Sequence, residues 1–356
     1  MDISKEDSKM LKGIAIMFML LLHLFCRKDI NGLYATFPII NDVPAVYYIG
    51  LFGDACVPIY CFVSGYGLFL VIKRDMASNM KKNFSRVLKL LINFWIVLLM
   101  FVLIGSIVGD EYPGSLGQFL MNFLLLSNSY NSAWWFLQTY VILVAFSPFL
   151  FSLIKRYNSA YMIIFFGFVY LISYIQRIKV VFSFESEILS SIVNSIVLVG
   201  TSLLPFVIGA IFAKDKVISK FSSKIVTIKY RNIIGLMFIL LLVVGHSLYE
   251  SMIVAPFTAI VFICIFTLMN KGPKVKRVLS YLGDHSTNIW LTHMFFYMTL
   301  FPKLTFAPYY PIFIFTWLLL LCLMSSHIIN LFYKPLLKFV FKHKTKAKIE
   351  TRSVAG

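Results

Sequence analysis

Charged residues are scarce in this sequence, and acidic residues are the scarcest. Of its 356 residues, 13% are charged and only 15 are Asp or Glu, whereas 60% are hydrophobic. A soluble domain of this length covers an apolar core with a charged surface, so this composition excludes an ordinary soluble protein. The mean hydropathy of +0.84 indicates a chain that needs lipid as its solvent.

The sequence also lacks several common catalytic signatures. The patterns G-x-S-x-G, G-x-x-x-x-G-K-[ST], H-E-x-x-H and G-x-G-x-x-G are all absent. Their absence weighs against a hydrolase, an ATPase, a metalloprotease and a dinucleotide enzyme. The five cysteines lie in or at the ends of apolar runs and show no metal-ligand spacing. We therefore expect neither a disulfide framework nor a metal site.

The sequence contains long apolar runs with few or no charged residues. Because a helix needs roughly 20 apolar residues to cross the hydrocarbon, we looked for runs of about 17 to 25 residues. Ten are present, at 10–26, 45–72, 87–108, 134–154, 160–176, 189–213, 232–249, 251–270, 279–300 and 311–333. The apolar segment 118–126 is too short to span and is expected to be re-entrant or interfacial.

No linker composition and no internal repeat divides the chain. The sequence therefore predicts a single all-α domain over residues 1–356, a polytopic membrane helix bundle of about ten transmembrane helices. The helical core is expected at about 10–333 and a basic cytoplasmic tail at 334–356.

The net charge of +18 follows alternate loops. Of the 33 Lys and Arg residues, 28 lie in the two terminal segments and in every second loop. The positive-inside rule then places both termini of this multi-pass protein in the cytoplasm. Topology and attraction to anionic membrane lipid explain the surplus charge, so no nucleic-acid partner is expected. The basic cluster at 81–89 could instead hold an anionic cytoplasmic ligand.

Few ionisable residues lie at membrane depth, where each is costly unless it is paired or hydrated. Lys12 and His23 are eleven residues apart, which places them on nearly the same face of the first helix and about 16 Å from each other. Asp54 and His293 are expected at the depth of His23, where a carboxylate would help an imidazole to act as a base. Each of these residues could instead hydrogen-bond a neighbouring helix, and Lys12 could extend to the interface.

Six short sequence patterns are spread along the chain, namely Leu11–Ile16 with His23–Phe25, Phe52–Pro58, Phe62–Leu68, Ser85–Leu90, Trp134–Leu137 and His285–His293. Together and in this order, they resemble the acyltransferase-3 family of bacterial membrane proteins, which acylate surface sugars. The resemblance covers essentially the whole chain. Lys12 stands where many relatives have arginine. Lysine keeps the positive charge but lacks the planar guanidinium and its paired N–H donors. Leu22 stands where many relatives have a second histidine beside the one matched by His23.

The resemblance implies transfer of an acyl group, most often acetyl, from acyl-CoA to a hydroxyl of a cell-surface or lipid-linked polysaccharide. Acetyl-CoA would be the co-substrate, with no metal involved. His23 would act as the general base, and Asp54 or His293 would orient it. Ser64 and Tyr66 would donate hydrogen bonds to the thioester oxygen, although the Ser64-Gly65 pair could instead serve close helix packing.

The remaining site residues follow from the same resemblance. The phosphates of CoA would meet Arg86, Lys81, Lys82 and Lys12, because Arg and Lys side chains pair with phosphate oxygens. Trp135, in the pattern that opens the fourth span, would contact substrate or anchor the helix at the membrane interface.

Two other interpretations stay open. The chain could be a transporter or flippase for a sugar or a lipid-linked oligosaccharide, although it lacks the paired discontinuous helices and repeats of many transporters. It could also be an acetyl-transfer subunit that feeds a separate extracellular enzyme. The sequence leaves open the acceptor sugar, the acyl chain, the face on which the acceptor binds and the formation of a homodimer.

Overall fold

The apolar runs form helices because a backbone in lipid must satisfy its hydrogen bonds within its own segment. The computed structural model describes residues 2–30, 32–72, 75–109, 112–225 and 227–353, and only the backbone of residues 223, 224 and 342–353. Its α-helices are α1 Lys5–Phe25, α2 Ala45–Leu51, α3 Cys56–Leu70, α4 Met76–Val108, α5 Leu116–Phe123, α6 Trp135–Arg156, α7 Ser159–Lys179, α8 Glu187–Asp215, α9 Val217–Ile225, α10 Arg231–Ser247, α11 Ala255–Leu268, α12 Pro273–Met294, α13 Pro302–Phe306 and α14 Pro311–Ser353. A small antiparallel pair joins β1 Ile39–Ile40 to β2 Val43–Pro44.

The prediction of an all-α polytopic membrane bundle is confirmed. Within the described ranges, seven helical stretches are long and apolar enough to cross a membrane, namely Lys5–Phe25, Ala45–Leu70, Met76–Val108, Ser132–Arg156, Ser159–Lys179, Glu187–Asp215 and Pro311–Phe341. The predicted spans 232–249 and 251–270 are shorter apolar helices, Arg231–Ser247 and Met252–Leu268. The predicted span 279–300 covers α12 after its first six residues, which carry several charges, and continues through the π-helical turn Phe295–Thr299.

Two other predicted segments also have defined positions. The short apolar segment 118–126 overlaps α5, an eight-residue helix. The predicted basic tail 334–356 begins inside α14, and its last three residues lie outside the described part of the chain.

Two pairs of helices pack most closely, and glycine lines both contacts. Gly13 of α1 faces the backbone of Leu279 and Gly283 on α12. Gly65 of α3 and Gly209 of α8 each face the backbone of the opposite helix. Small residues allow helix backbones to approach in lipid, where close packing replaces the hydrophobic drive between helices. These contacts fix α1 against α12 and α3 against α8 around the centre of the bundle.

Ion pairs in the loops and in the first turns of helices define two ends of the bundle. At the end where α1 begins, Lys276 and Lys271 pair with Glu6 and Asp7 at 3.0 and 3.5 Å. We call this the basic end. At the opposite end, which we call the far end, Lys28 after α1 pairs with Glu250 before α11 at 2.7 Å. These contacts agree with the alternation of loops inferred from the charge pattern.

Candidate active site

A cavity of about 330 Å³ lies inside the bundle. Helices α1, α3, α4, α6, α7, α8, α11 and α12 all contribute to its wall. Six of the residues predicted from the sequence line it, namely Lys12, His23, Asp54, Ser64, Arg86 and Trp135. The structure thus brings together side chains that lie up to 123 positions apart in the sequence.

Four predicted site residues lie outside the wall of this cavity. Tyr66 points away from it, and its hydroxyl accepts a hydrogen bond from the backbone N–H of Ile3 at 3.2 Å. Lys81 is exposed, and Lys82 lies beside a small recess next to Arg86 rather than in the main cavity. His293 is fully buried behind His23.

His23 sits within a cluster of aromatic side chains from the end of α12. The ring of His293 lies 5.0 Å from that of His23, measured between centroids. The hydroxyl of Tyr297, in the π-helical turn Phe295–Thr299, lies 3.3 Å from Nδ1 of His23. If that contact occupies Nδ1, then Nε2 is the nitrogen left to exchange a proton with a ligand in the cavity.

His293 is held by its own helix. Its Nδ1 donates to the backbone carbonyl of Trp290 at 2.7 Å, so its Nε2 carries a lone pair. This Nε2 has no hydrogen-bond partner among the described residues. The ring of His293 therefore lies against that of His23 on the side away from the cavity.

Asp54 lies in the 3₁₀ turn Phe52–Ala55, between α2 and α3. Gly53 allows this turn to approach α1, because a Cβ at that position would overlap atoms of Leu22. Within the described ranges, Asp54 makes no hydrogen bond to His23, and its Oδ2 lies 3.9 Å from Nε2 of His246 instead. The carboxylate and the imidazole that the sequence suggested as partners thus share a cavity without a direct bond.

Arg86 lies toward the basic end of the cavity. Its guanidinium donates to Oδ1 of Asn83 at 2.7 Å, and Asn83 donates in turn to Val144 and Ser147 of α6. Arg86 also borders the small recess that contains Lys82. The arrangement holds one guanidinium in a fixed position between that recess and the central cavity.

A second cavity opens at the far end. His23 and Asp54 line it as well as the central cavity, together with Arg27, Tyr47 and Glu250. Tyr47 donates to Glu250 at 3.1 Å beside the Lys28 ion pair. The hydrogen bond from Lys28 lowers the pKa of Glu250 from its ordinary value. His23 can therefore be reached from the far end and from within the bundle.

Sequence reasoning missed three residues in or beside this site. The sequence around His246 suggests no partner for it, yet His246 faces Asp54. Arg177 was counted as a loop charge, yet it lines the cavity with its guanidinium 5.5 Å from the ring of Trp135. No local signal reveals either contact. Tyr297 was also unassigned, although its position four residues after His293 places both on one helix face.

The cavity combines Lys12 and Arg86 toward one end, an imidazole part of the way along, and a carboxylate with the guanidinium of Arg177 near the other end. Such an arrangement can bind an anionic ligand and exchange protons with a second one. No curated protein and no solved structure matched the chain. The model of the acyltransferase-3 family, described as an acyltransferase domain, matches residues 7–330 and so includes every cavity residue named above. The chain belongs to the acyltransferase-3 family, and it is a multi-pass membrane protein.

Proposed function

We propose that this protein transfers an acyl group, acetyl in the simplest case, from acyl-CoA to a hydroxyl of a cell-surface or lipid-linked polysaccharide. The observation that carries the proposal is the position of His23, which lines both the central cavity and the far-end cavity. A donor and an acceptor that enter from opposite ends would meet at this side chain. We place the protein in the bacterial cytoplasmic membrane, with the basic end and both termini in the cytoplasm.

The donor would enter from the basic end, because CoA is cytoplasmic and polyanionic. Arg86 and Lys12 both line the cavity on that side of His23. The ammonium of Lys12 makes no hydrogen bond or ion pair with any described residue, so it is available for a phosphate. Lys82, beside the recess next to Arg86, and the exposed Lys81 would attract the anion before it enters.

The size of the cavity agrees with this arrangement. A volume of about 330 Å³ lies at the lower end of the range for small-molecule sites. Such a space suits the narrow pantetheine arm and a small acyl group. The bulkier nucleotide of CoA would stay at the basic end, next to the cationic side chains.

In the proposed reaction, His23 acts as the general base. Nε2 takes the proton of the acceptor hydroxyl while that oxygen attacks the thioester carbonyl, so a C–O bond forms as the C–S bond breaks. The same proton then passes to the departing thiolate and gives CoA as a free thiol. Ser64, which lines the cavity, would donate a hydrogen bond to the carbonyl oxygen as it gains charge. His293 and Tyr297 support the ring of His23 during the transfer.

The proposal is tested by the O-acetyl content of the surface polysaccharide, measured by NMR in cells with wild type, a deletion or His23→Ala at matched membrane abundance. Both mutants are expected to lose O-acetyl groups, and loss of a general base costs typically 10²- to 10⁴-fold in rate. His327→Ala is the matched control, since His327 bonds Tyr281 away from the cavity. Unchanged acetylation in the deletion would refute the polysaccharide acceptor, and full activity of His23→Ala would rule out the role of His23.

A further inference from the structure

His246 is a buried histidine whose hydrogen bonds fix its tautomer. It is 2% exposed at the far end of α10, and its Nδ1 lies 3.3 Å from the hydroxyl of Thr258. The hydroxyl of Thr258 has one proton, and its nearest acceptor is the backbone carbonyl of Ala255 at 3.0 Å. Since that proton is used on the backbone, Thr258 accepts from His246, and Nδ1 of His246 carries a hydrogen.

The other ring nitrogen faces a carboxylate. Nε2 of His246 is buried, has no hydrogen-bond partner among the described residues, and lies 3.9 Å from Oδ2 of Asp54. If the imidazole were neutral, its Nε2 lone pair would face the negative oxygen of Asp54, which is repulsive. A proton on Nε2 turns this contact into an attractive pair of imidazolium and carboxylate.

The environment of Asp54 favours such a partner. Asp54 is 8% exposed, and a mostly buried carboxylate gains from a cation or a hydrogen-bond donor beside it. Arg177, another cation that acts on Asp54, makes no ion pair with it within the described ranges. The ring of His246 is held in place by Thr258 on one side and by an edge-to-face contact with Phe52, at 5.6 Å, on another.

Asp54 faces ligand space on two sides, because it lines both the central and the far-end cavities. Around it, the central cavity presents aromatic side chains, including Trp135 and Tyr170, and the guanidinium of Arg177. A charged carboxylate next to a cation and aromatic rings is suited to a polyhydroxylated ligand. The carboxylate accepts from sugar hydroxyls, and the rings cover the apolar face of the sugar.

We propose that Asp54 binds hydroxyl groups of the carbohydrate acceptor, and that His246 is a positioning residue which holds the carboxylate of Asp54 turned toward the cavity. This inference rests on the proposed acyl transfer, but it assigns to Asp54 a role different from the orientation of His23. Asp54 belongs to the acceptor subsite, and the donor subsite begins at Arg86.

The test uses the full-length protein in lipid nanodiscs, with two probes: acetyl-CoA and the de-O-acetylated surface polysaccharide isolated from the deletion strain. KM for the polysaccharide and Kd for acetyl-CoA are measured for wild type, Asp54→Asn, His246→Leu, His246→Gln and the double variant that combines Asp54→Asn with His246→Leu. If wild type does not acetylate this polysaccharide, the proposed function fails, whatever the variants do.

If wild type is active, the variants test the roles of Asp54 and His246 independently of the proposed acyl transfer. Asp54→Asn and His246→Leu are each expected to raise KM for the polysaccharide by about ten- to a hundredfold, as for a lost hydrogen bond to a charged group, with Kd for acetyl-CoA unchanged. The double variant should be no worse than Asp54→Asn, because His246 acts through Asp54. His246→Gln, which keeps an N–H donor, should raise KM for the polysaccharide less than His246→Leu does.

A matched control comes from another buried histidine. His285 of α12 likewise bonds one hydroxyl, that of Ser326 at 2.8 Å, and does not line the cavity. His285→Gln should leave both constants unchanged. The inference is overturned if the His246 variants keep the wild-type KM, if the effects of the two single variants add in the double variant, or if binding of acetyl-CoA falls in parallel. If His246→Leu does not fold, His246→Gln and Asp54→Asn still decide the question.

Discussion

The contact between α1 and α12, the two helices that carry His23 and His293, can be tested by adding one methyl group. A Cβ added at Gly13 of α1 would overlap the carbonyl oxygen of Leu279 on α12 and lie 3.1 Å from the backbone nitrogen of Gly283. These are backbone atoms, so a change of side-chain rotamer cannot relieve the overlap. Gly13→Ala is therefore expected to push α1 and α12 apart.

The change in the free energy of unfolding of Gly13→Ala follows from two opposing effects. Alanine is favoured over glycine inside a helix by about 0.5–1 kcal/mol. Overpacking in a tight contact costs about 1–3 kcal/mol. Gly167 of α7 offers a control without the second effect, because a Cβ there meets no atom within 4 Å. The difference in stability between Gly13→Ala and Gly167→Ala therefore isolates the overpacking cost, about 1–3 kcal/mol.

The assay is reversible unfolding in mixed micelles, followed by the fluorescence of the five tryptophans. Gly13→Ala should be less stable than wild type or close to it, and Gly167→Ala more stable than wild type. Separation of α1 from α12 should also disturb the 5.0 Å spacing between His23 and His293 and lower the transfer rate. Equal stability of the two alanine variants would contradict the close approach of the two backbones.

Three further predictions concern individual side chains. Arg86→Lys keeps the charge but loses the planar fork, so Kd for acetyl-CoA, measured by calorimetry, should rise about tenfold or more. Tyr66→Phe removes the partner of the buried N–H of Ile3, which should cost about 1–3 kcal/mol in the same unfolding assay while Kd for acetyl-CoA stays constant. Lys28 lowers the pKa of Glu250, so the stabilisation from this carboxylate is present at neutral pH and lost as pH falls through that lowered pKa. The difference in melting temperature between wild type and Glu250→Gln should therefore vanish in acid.

The sequence was sufficient for features that depend on a single helix. A long apolar run in lipid forms a helix because a helix satisfies all backbone hydrogen bonds within the segment. The predicted spans therefore coincide with helices. The eleven-residue spacing of Lys12 and His23 placed both on one stripe, and both line the cavity. The same periodicity separates Ser64 from Tyr66, since two residues correspond to about 200° of rotation. Only Ser64 of these two reaches the cavity.

Contacts between helices could not be predicted from the sequence because no local sequence pattern indicates them. His246 contacts Thr258 of α11 and the turn that holds Asp54, and these three residues share no periodicity. Arg177 appeared as a loop charge because the predicted span ended at residue 176. In the structure α7 continues to Lys179, and this additional turn places the guanidinium over Trp135.

The geometry at His23 also separates the proposed transferase from a transporter. A transporter must move its whole cargo past the midpoint of the bundle, and this requires a cavity that opens alternately to each side. A transferase needs only its two reacting groups to reach one side chain. His23 lines both cavities, with Leu22 and Asp54 beside it, while Lys12 and Arg86, the cations proposed to bind CoA, line only the central one. The acyl group alone would then pass His23, and the bulky, charged remainder of CoA would stay at the end from which it entered.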